Sequence, residues 1–431
     1  HRKLKRTNMK KMSMLFIAAM SVLSVSAEGY QVNLQSAKQT GMGHVGASMK
    51  LGAESMHFNP AGLAFTKNAI DISLGASCIF SEITYKDKGT GIKEHTDNSV
   101  STPLYAYASF KIYDNLSAGI SFTTPYGSSL NWGKNWSGAD LVQDISLKAY
   151  VVQPTVSYKI LPNLSIGAGL MIGFGNVELS RALLPAGSIP TLPGVIPVSA
   201  TLTGNSAVRV GYNVGAMWDI TDRLTVGASF RSKVSLKVKE GTARLDYANE
   251  QVKQFVQQNP SFPKLDEGTF SAEMPMPANL NIGASYRLGQ RWLLAAEIQT
   301  VFWKAYDELS LQFTEEVLGG YNITARKDYK NTLIYRLGAE CEVTNRLDLR
   351  AGIYYDQTPI RSDLYNPETP GMDKLGMSVG LSFRPIKSLS VYFAFLYIQG
   401  IGKDGSYPHP EISNPGKLFE GHYTYRRLLL L

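Results

Sequence analysis

The chain has 431 residues, of which 18% are charged, 44% hydrophobic and 10% aromatic, whereas average globular proteins carry roughly 25% charge. This composition disfavours a disordered chain, and no apolar run reaches the roughly 18–20 residues that a membrane-spanning helix needs. The net charge of +8 arises mostly in residues 1–27, which contain six basic residues and no acid. The charge therefore gives no argument for a nucleic-acid partner.

Residues 1–27 have the parts of a secretory signal peptide. A basic start is followed by a short apolar stretch over 14–25 and by a small-residue cleavage site at 25–27. Residues 1–8 are expected to be upstream readthrough, and the mature protein is expected to begin at Glu28, outside the inner membrane. A buried amphipathic helix is the alternative for this stretch.

Beyond residue 69, short polar turns alternate with long strands of period two. In 224–238 the even positions are almost wholly apolar, whereas the odd positions are polar or small. Soluble strands average 5–6 residues, and clean alternation over about ten or more is typical of transmembrane barrel strands; a soluble sandwich is the alternative. We therefore predict an all-β fold, a 14-stranded antiparallel transmembrane β-barrel. The predicted strands are 69–85, 101–113, 116–126, 146–160, 164–180, 206–220, 224–240, 276–288, 292–313, 329–343, 347–360, 373–384, 389–400 and 421–431.

The connections between the predicted strands alternate in length. Six tight turns, such as 113–115 and 161–163, lie on one rim, and long connections, such as 181–205 and 241–275, lie on the other. In outer-membrane barrels the short turns are periplasmic and the long loops are extracellular. The pattern therefore predicts a location in the bacterial outer membrane, with the long loops extracellular and the short turns periplasmic, and we expect a monomer. Its expected partners are outer-membrane lipid, lipopolysaccharide and the barrel-assembly machinery.

Residues 28–68 do not follow the strand pattern. They are rich in Ala, Gly and Met, they precede the first strand, and they are too few to fold alone. We expect them to pack inside the barrel lumen, and a periplasmic tail is the alternative. The predicted organisation is a signal peptide over 1–27, an N-terminal hatch over 28–68 and a transmembrane β-barrel over 69–431.

Four strings carry a resemblance to a known family. They are 28–33 (Glu-Gly-Tyr-Gln-Val-Asn), 41–43 (Gly-Met-Gly), 58–64 (Phe-Asn-Pro-Ala-Gly-Leu-Ala) and 351–359 (Ala-Gly-Ile-Tyr-Tyr-Asp-Gln-Thr-Pro). The chain resembles the FadL-type long-chain fatty-acid transporters, a family that includes channels for aromatic hydrocarbons. The resemblance implies a 14-stranded barrel plugged by an N-terminal hatch. It also implies passive, hatch-gated uptake of hydrophobic small molecules across the outer membrane.

The resemblance further implies a gating motif and a lateral exit for the ligand. The gating motif is Asn59, Pro60 and Ala61. In the family the ligand leaves sideways through a gap in the wall, beside a kink in the third strand. The corresponding strand here is 116–126, with Gly119 and Pro125 as the kink candidates. We expect the Asn59 amide to satisfy backbone groups that the kinked strand leaves free.

The resemblance ends at the C-terminus. Family members finish with an alternating strand and a terminal aromatic residue, whereas this chain finishes with two arginines and four leucines over 426–431. We interpret this departure as a truncation or a frameshift.

The alternation also places charged side chains on the lumen face of the predicted wall. Arg336 has Glu340 and Glu342 on its own face, which predicts a salt bridge within that strand. Other lumen cations have no acid nearby on their strand, and arginine suits a carboxylate through paired hydrogen bonds. The candidates for binding a ligand head group are Arg231, Lys233 and Arg209. The alternative for each is a salt bridge that joins the hatch to the wall.

Two of the long connections are unusually apolar. One covers 182–202, and the other contains a predicted short helix over 246–258. Exposed apolar surface of this kind usually marks binding, and in the family the ligand is first captured between two such loops. The predicted capture residues are Leu183, Leu184, Ile189, Leu192, Val252 and Phe255. The alternative is that the two loops pack on each other as a lid.

The sequence gives no argument for catalysis. Of the six histidines only His422 lies on a predicted strand, and Cys78 and Cys341 are too far apart for a metal motif. We expect no enzyme activity, no metal and no cofactor. The predicted function is uptake of a hydrophobic ligand, a fatty acid or an aromatic hydrocarbon. The alternative is a general porin or a structural or adhesive barrel.

Overall fold

The computed structural model describes residues 31–189, 192–258, 266–313, 322–410, 413–414 and 416–431. The predicted signal peptide, the upstream residues 1–8 and the beginning of the predicted hatch lie outside the described residues. In the described part of the chain, no helix combines the length and the apolar character needed to cross a membrane.

Twenty-two strands form one antiparallel sheet in the described residues, so the predicted all-β antiparallel architecture is confirmed. They are β1 (Ile70–Ala76), β2 (Cys78–Asp87), β3 (Lys93–His95), β4 (Leu104–Tyr113), β5 (Leu116–Asn131), β6 (Asp144–Leu161), β7 (Leu164–Ala182), β8 (Val198–Ala207), β9 (Arg209–Asp219), β10 (Leu224–Arg231), β11 (Val234–Tyr247), β12 (Glu267–Met276), β13 (Asn279–Leu288), β14 (Trp292–Val301), β15 (Glu308–Phe313), β16 (Ile323–Arg326), β17 (Thr332–Thr344), β18 (Leu347–Asp356), β19 (Lys374–Ile386), β20 (Leu389–Gly400), β21 (Lys403–Pro408) and β22 (Leu418–Leu430). Pairing of β2 with β22 joins the two ends of the series.

The number of strands exceeds the predicted 14 because several predicted strands are interrupted. The predicted strand 224–240 is divided into β10 and β11 at Ser232 and Lys233. Arg231 is buried before this interruption and Val234 is buried after it, whereas Lys233 is exposed. The prediction that Lys233 shares the lumen face of Arg231 is therefore wrong, because a one-residue shift moves every following side chain to the other face.

The outward face of the wall is apolar, as the alternation predicts. In β1, Ile70, Ile72 and Leu74 are exposed, and the residues between them are less so. The same alternation runs along most of the longer strands. A continuous apolar band of this kind is what a barrel presents to lipid acyl chains.

Residues 31–66, called the N-terminal segment here, form short helices rather than strands. Helix α1 (Ala37–Gly41) begins where the Ser36 side chain accepts a hydrogen bond from Gln39 N, which satisfies one of the free amides of a helix start. Helix α2 (Ser55–Phe58) lies between two 3₁₀ turns, Gly52–Glu54 and Pro60–Phe65. Most of the segment is buried.

Strands from all parts of the series contact the N-terminal segment. Hydrogen bonds join it to β1, β4, β5, β6, β7, β9, β10, β13, β14 and β19. Glycines in the wall strands allow the backbone of the N-terminal segment to approach the backbone of the wall closely. A Cβ atom on Gly227 would lie 1.9 Å from Ala47 O, and one on Gly352 would lie 2.0 Å from Gly43 N. Strands from all parts of the sheet thus enclose the segment at the end where the short turns lie.

The other end of the lumen is filled by side chains and by a loop. Tyr85 stacks on Phe419 with ring centroids 4.5 Å apart, and Trp136 packs edge-on against both. Helix α3 (Glu250–Gln258) lies in a long connection, and two more 3₁₀ turns span Trp303–Ala305 and Ser362–Leu364. Residues 365–372, called the inner loop here, are buried throughout although they belong to the long connection between β18 and β19.

Candidate functional site

Asn59 lies at the centre of the contacts between the N-terminal segment and the wall. Its amide nitrogen donates to Ala47 O at 2.7 Å and to Ala216 O of β9 at 3.0 Å. Its amide oxygen accepts from Ala61 N at 3.1 Å and so caps the 3₁₀ turn that Pro60 begins. The Asn59 side chain is fully buried, and one side chain therefore joins two parts of the segment to the wall.

Ala61 extends the same contact to two further strands. Its carbonyl oxygen accepts hydrogen bonds from Ser157 Oγ of β6 at 3.1 Å and from Ser165 Oγ of β7 at 2.7 Å. A Cβ atom on Gly167 would lie 2.4 Å from the carbonyl carbon of Pro60. The serine hydroxyls of β6 and β7 thus bind the Asn-Pro-Ala turn, and the glycine of β7 leaves room for it.

The pairing of β5 is irregular at Thr124 and Pro125, and this irregularity is called the kink here. Gly119 pairs regularly with Ser109 and Thr155, so the chain is not distorted there. The register between β5 and β6 shifts between Thr123 and Tyr126 instead. Proline cannot donate to a neighbouring strand, which explains why the regular pairing stops at this point.

Gln35 supplies the hydrogen bonds that the kink lacks. Its amide nitrogen donates to Thr124 O at 2.9 Å, and its amide oxygen accepts from Thr124 N at 3.0 Å. Val32 N donates to Pro125 O at 2.7 Å. The expectation that Asn59 serves the kinked strand is therefore wrong, because Asn59 bonds to β9. Nothing in the composition or spacing of the N-terminal segment distinguishes Gln35 from its polar neighbours.

Next to the kink the wall is open. Pairing of β4 with β5 ends near Ala106 and Phe122. Further along, Asp97 N donates a hydrogen bond to Asn131 O. In this fully described stretch no backbone hydrogen bond joins 99–103 to 124–130. A cavity of about 460 Å³, called the side cavity here, lies between them. Consecutive residues of β6 from 146 to 150 line it, so it reaches both faces of the wall.

Arg231 lies against the N-terminal segment on the lumen side. One of its terminal nitrogens donates to His57 O at 2.5 Å and to His57 Nδ1 at 3.0 Å. Burial and the charge of Arg231 hold the pKa of His57 well below its usual range, so the ring is neutral and can accept. In the described residues no acid lies within 4 Å of the Arg231 guanidinium. Arg209 faces the lumen from β9.

Arg336 is paired with a carboxylate on a neighbouring strand. Arg336 lies 2.6 Å from Glu297, and Glu297 also accepts from Gly46 N at 2.8 Å and Ala47 N at 2.6 Å. The predicted salt bridge of Arg336 exists, but the predicted partners Glu340 and Glu342 are wrong. Residues directly opposite each other on paired strands lie closer together than residues that are two or more apart on one strand. Glu297 is the residue opposite Arg336.

The short-turn mouth of the lumen is strongly charged. A cavity of about 270 Å³ there is lined by ion pairs. They include Lys50–Asp219 at 2.6 Å, Arg350–Glu340 at 2.6 Å and Arg287–Glu342 at 3.5 Å. An apolar molecule that passed through this mouth would have to displace these pairs or leave them without water, and neither is favourable.

An apolar chamber lies in the long-loop half of the lumen. Its walls are buried aliphatic and aromatic side chains of β6, β7, β8, β11, β12 and β15, such as Leu147, Leu236 and Phe270. Its free volume is about 40 Å³, enough for roughly three water-sized groups. Glu368 of the inner loop is the charged residue in its lining.

The predicted capture residues fall into two groups. Leu183, Ile189 and Val252 are buried against the main apolar cluster, and Leu184 and Leu192 pack on its edge. Phe255 is 59% exposed. The two loops are joined by a hydrogen bond from Ala248 N to Pro197 O at 2.9 Å. The described part of these loops therefore combines a packed lid with one aromatic ring open to solvent.

The comparisons with known proteins agree with this architecture. Residues 18–423 match the family model of the outer membrane protein transport proteins, OMPP1/FadL/TodX. The chain belongs to this family. A putative outer membrane protein of Neisseria meningitidis serogroup B is 25% identical over 90% of both chains. A long-chain fatty acid transport protein of Salmonella typhi is 19% identical over 89% of this chain and 90% of its own.

Solved structures of FadL-type proteins share the fold. A Pseudomonas aeruginosa FadL homologue superposes with a TM-score of 0.76 at 21% identity, over 93% of this chain and 98% of that one. The P. putida toluene transporter TodX superposes with a TM-score of 0.67 at 18% identity, over 91% and 95%. The predicted outer-membrane location and the predicted membership of the FadL-type family are confirmed.

One string in this FadL-type protein has the spacing of a hydrolase nucleophile elbow. It is Gly-Met-Ser-Val-Gly over 376–380, in the middle of β19. A nucleophile elbow requires a sharp turn between a strand and a helix, and Ser378 Oγ here accepts a hydrogen bond from Gly43 N at 3.1 Å. The serine therefore holds the N-terminal segment, and the family is one of transporters.

Proposed function

We propose that this outer-membrane transport protein takes up hydrophobic small molecules passively, with long-chain fatty acids or aromatic hydrocarbons as the ligand class. The observation that carries the proposal is the side cavity of about 460 Å³ in the wall, beside a lumen that the N-terminal segment fills. A hydrophobic solute is more stable in an apolar environment than in water. An opening towards the bilayer serves such a solute better than an opening towards water.

The first step is capture at the long-loop end. Phe255 offers an exposed aromatic surface there, and Leu183, Leu184, Ile189, Leu192 and Val252 form the apolar support beneath the loops. The ligand then enters the apolar chamber. Its walls offer an alkyl chain or an aromatic ring the same contacts that they make with one another.

The N-terminal segment acts as a hatch. Asn59, Pro60 and Ala61 hold it on the three strands β6, β7 and β9, and Gln35 couples it to the kink at Pro125. A small movement of the segment therefore changes the hydrogen bonds of the wall at the side cavity. The ligand leaves sideways there, because the charged short-turn mouth opposes an axial exit.

Arg231, with Arg209 as a second candidate, receives the head group of an anionic ligand within the lumen. Arg231 borders a polar cavity next to His57 and has one guanidinium edge engaged with His57. Its remaining donors suit a carboxylate. Lys233 is not part of this site, because it faces outward.

The proposal is tested by uptake into liposomes that contain the purified protein. We expect uptake of oleate or toluene and no passage of small sugars, whereas a general porin passes sugars and an adhesive barrel passes neither. Asn59→Ala should reduce hydrophobic uptake while the protein stays folded and resistant to heat in detergent. Unchanged uptake of every hydrophobic ligand in this variant would contradict the gating role.

A further inference from the structure

The lining of the side cavity is positively charged. Lys148 and Arg427 belong to it, and among the described residues no aspartate or glutamate does. The rest of the lining combines apolar side chains, such as Leu104 and Phe122, with serine and threonine side chains. Its volume of about 460 Å³ lies within the range of pockets that hold small-molecule ligands. The cavity therefore offers an apolar surface together with positive charge that its own lining does not neutralise.

Arg427 lies at the lumen side of this cavity. It is 4% exposed on β22, whereas its neighbour Arg426 is exposed on the outward face. Its Nε has no hydrogen-bond partner, and within the described residues its guanidinium forms no ion pair within 4 Å. A buried cation without a partner is unfavourable, and arginine cannot release its proton to become neutral. The guanidinium is therefore available to an anion that enters the cavity.

Lys148 lies at the membrane side of the same cavity. It is exposed on the outward face of β6, and in the part of the chain that the structure describes it forms no ion pair within 4 Å. Tyr150, the next outward residue towards the middle of the bilayer, stacks between Phe122 and Phe174 with ring centroids 5.8 and 5.6 Å away. Rows of aromatic side chains mark the level of the lipid head groups on a barrel. Lys148 therefore lies at that level, just beyond the apolar band.

We propose that the side cavity is a passage for an anionic amphiphile such as a long-chain fatty acid, in which Arg427 binds the carboxylate on the lumen side and Lys148 receives it at the membrane surface. A fatty acid that leaves sideways must keep its carboxylate out of the acyl layer, where a lone charge is unfavourable, while its alkyl chain enters that layer. Two cations on opposite faces of one opening in the wall meet this requirement. The inference rests on the proposed uptake function and assigns the sideways exit to anionic ligands.

The test measures occupancy of the side cavity in the purified full chain, in a neutral detergent. Ser128→Cys places a thiol in the lining of the cavity, and Cys78 and Cys341 are replaced by serine. Reaction with a polar maleimide then reports whether a ligand covers the thiol. Oleate and oleyl alcohol are the probes, because they share the alkyl chain and differ in charge. Oleate should protect the thiol at the lower concentration.

Removing the buried cation should weaken oleate binding selectively. Arg427→Gln should raise the oleate concentration for half-protection by about tenfold or more, the factor expected when a hydrogen bond to a charged group is lost. The concentration of oleyl alcohol should not change. Arg427→Lys, which retains the charge, should lose less affinity for oleate. Lys148→Gln should have a smaller effect, roughly threefold, because water screens an exposed cation.

Arg426→Gln is the matched control, because this arginine is adjacent in the chain but faces outward and does not line the cavity. It should change the half-protection concentration of neither probe. Equal losses for oleate and oleyl alcohol in Arg427→Gln, or no loss for oleate, would overturn the proposal.

Stability distinguishes a ligand-binding arginine from a structural one. Because Arg427 has no ion-pair partner among the described residues, Arg427→Gln should unfold at the same urea concentration as the unaltered protein or at a higher one. Unfolding at a markedly lower concentration would show that the guanidinium stabilises the wall, and the proposed role would be wrong.

Uptake of oleate into proteoliposomes separates failure of this inference from failure of the proposed function. If neither probe protects the thiol but oleate is still taken up, the head-group passage is wrong and the uptake function stands. If there is neither protection nor uptake of any hydrophobic ligand, both are wrong.

Discussion

The two halves of the lumen are filled by different kinds of contact. In the short-turn half, the N-terminal segment is held by directed hydrogen bonds, such as those of Asn59, and by the buried pair of Arg336 and Glu297. In the long-loop half, aliphatic and aromatic side chains pack around the apolar chamber. Directed polar contacts are lost when a group shifts by an ångström, whereas apolar contacts can be exchanged for those of a ligand. The first half is therefore suited to closing and the second to binding.

The largest effect should follow from removing a charge in the short-turn half. Arg336→Met leaves Glu297 buried without its cation, and breaking such a pair costs about 3–5 kcal/mol. We expect the free energy of unfolding in detergent, measured with urea, to fall by this amount. Arg361→Met, which removes an exposed cation at the long-loop end, should have no measurable effect. Similar losses in both variants would show that the two halves do not differ in this way.

A methyl group at the contact of segment and wall should have the next largest effect. Gly227→Ala places a Cβ atom 1.9 Å from Ala47 O, and overpacking of this kind costs about 1–3 kcal/mol. We expect the N-terminal segment to be displaced and small sugars to leak into proteoliposomes. Leu311→Met, a volume-conserving change in the apolar half, should cause no leak. If proteoliposomes with Gly227→Ala do not leak sugars, the close contact between the N-terminal segment and the wall is contradicted.

The link between the segment and the kink should contribute a comparable amount. Gln35→Leu removes two hydrogen bonds to Thr124 and leaves both backbone groups without a partner, at about 1–3 kcal/mol in total. We expect faster hydrogen exchange of β5 around Thr124 and altered uptake, measured by mass spectrometry and with labelled oleate. Gln31→Leu, whose side chain bonds to Asn33, is the control. Equal hydrogen-exchange rates of β5 in the two variants would show that Pro125 alone, without Gln35, determines the local structure of the kink.

The smallest effect concerns pH at the long-loop end. Burial alone would raise the pKa of Asp140, but hydrogen bonds from His409, Ser413 and Asn414 hold it below the usual 3.8. Because the folded-state pKa is lowered, the stabilisation is present above about pH 4 and is lost as pH falls through the lowered pKa. Hydrogen exchange of peptides that contain Asp140 should therefore increase below about pH 4.

Asp140→Asn should remove this pH dependence and lose about 1 kcal/mol of local stability at neutral pH. Asp222→Asn, at an exposed position of the short-turn end, should change neither. The same pH profile in Asp140→Asn as in the unaltered protein would assign the transition to another group.

The wall could be predicted from the sequence because lipid imposes one rule on every strand. Each outward residue must be apolar, so alternation in 224–230 or 347–353 is visible without a structure. The exception was Lys233, where a single irregular residue exchanges the faces. The energetic preference for such a shift depends on the neighbouring strand, whose Tyr212 N donates a hydrogen bond to Ser232 Oγ, and no pattern within one strand contains that information.

The candidate site was less predictable than the wall. The Asn-Pro-Ala turn was found by resemblance, and the structure gives Asn59 its contacts. Gln35 bonds to a partner about 90 residues away in the chain, and a lone Gln in an irregular stretch carries no local signal. The partner of Arg336 was missed for the same reason, because cross-strand register is set by pairing and not by spacing.

The close approach of backbone to backbone at Gly227 and Gly352 has a consequence for the order of assembly. The N-terminal segment contacts strands on every side, and the series is joined by the pairing of β2 with β22. A segment that tightly surrounded cannot enter a completed ring, since it would have to pass wall side chains at less than contact distance. The N-terminal segment must therefore be in place before the last pair of strands forms, and ring closure is the step that encloses it.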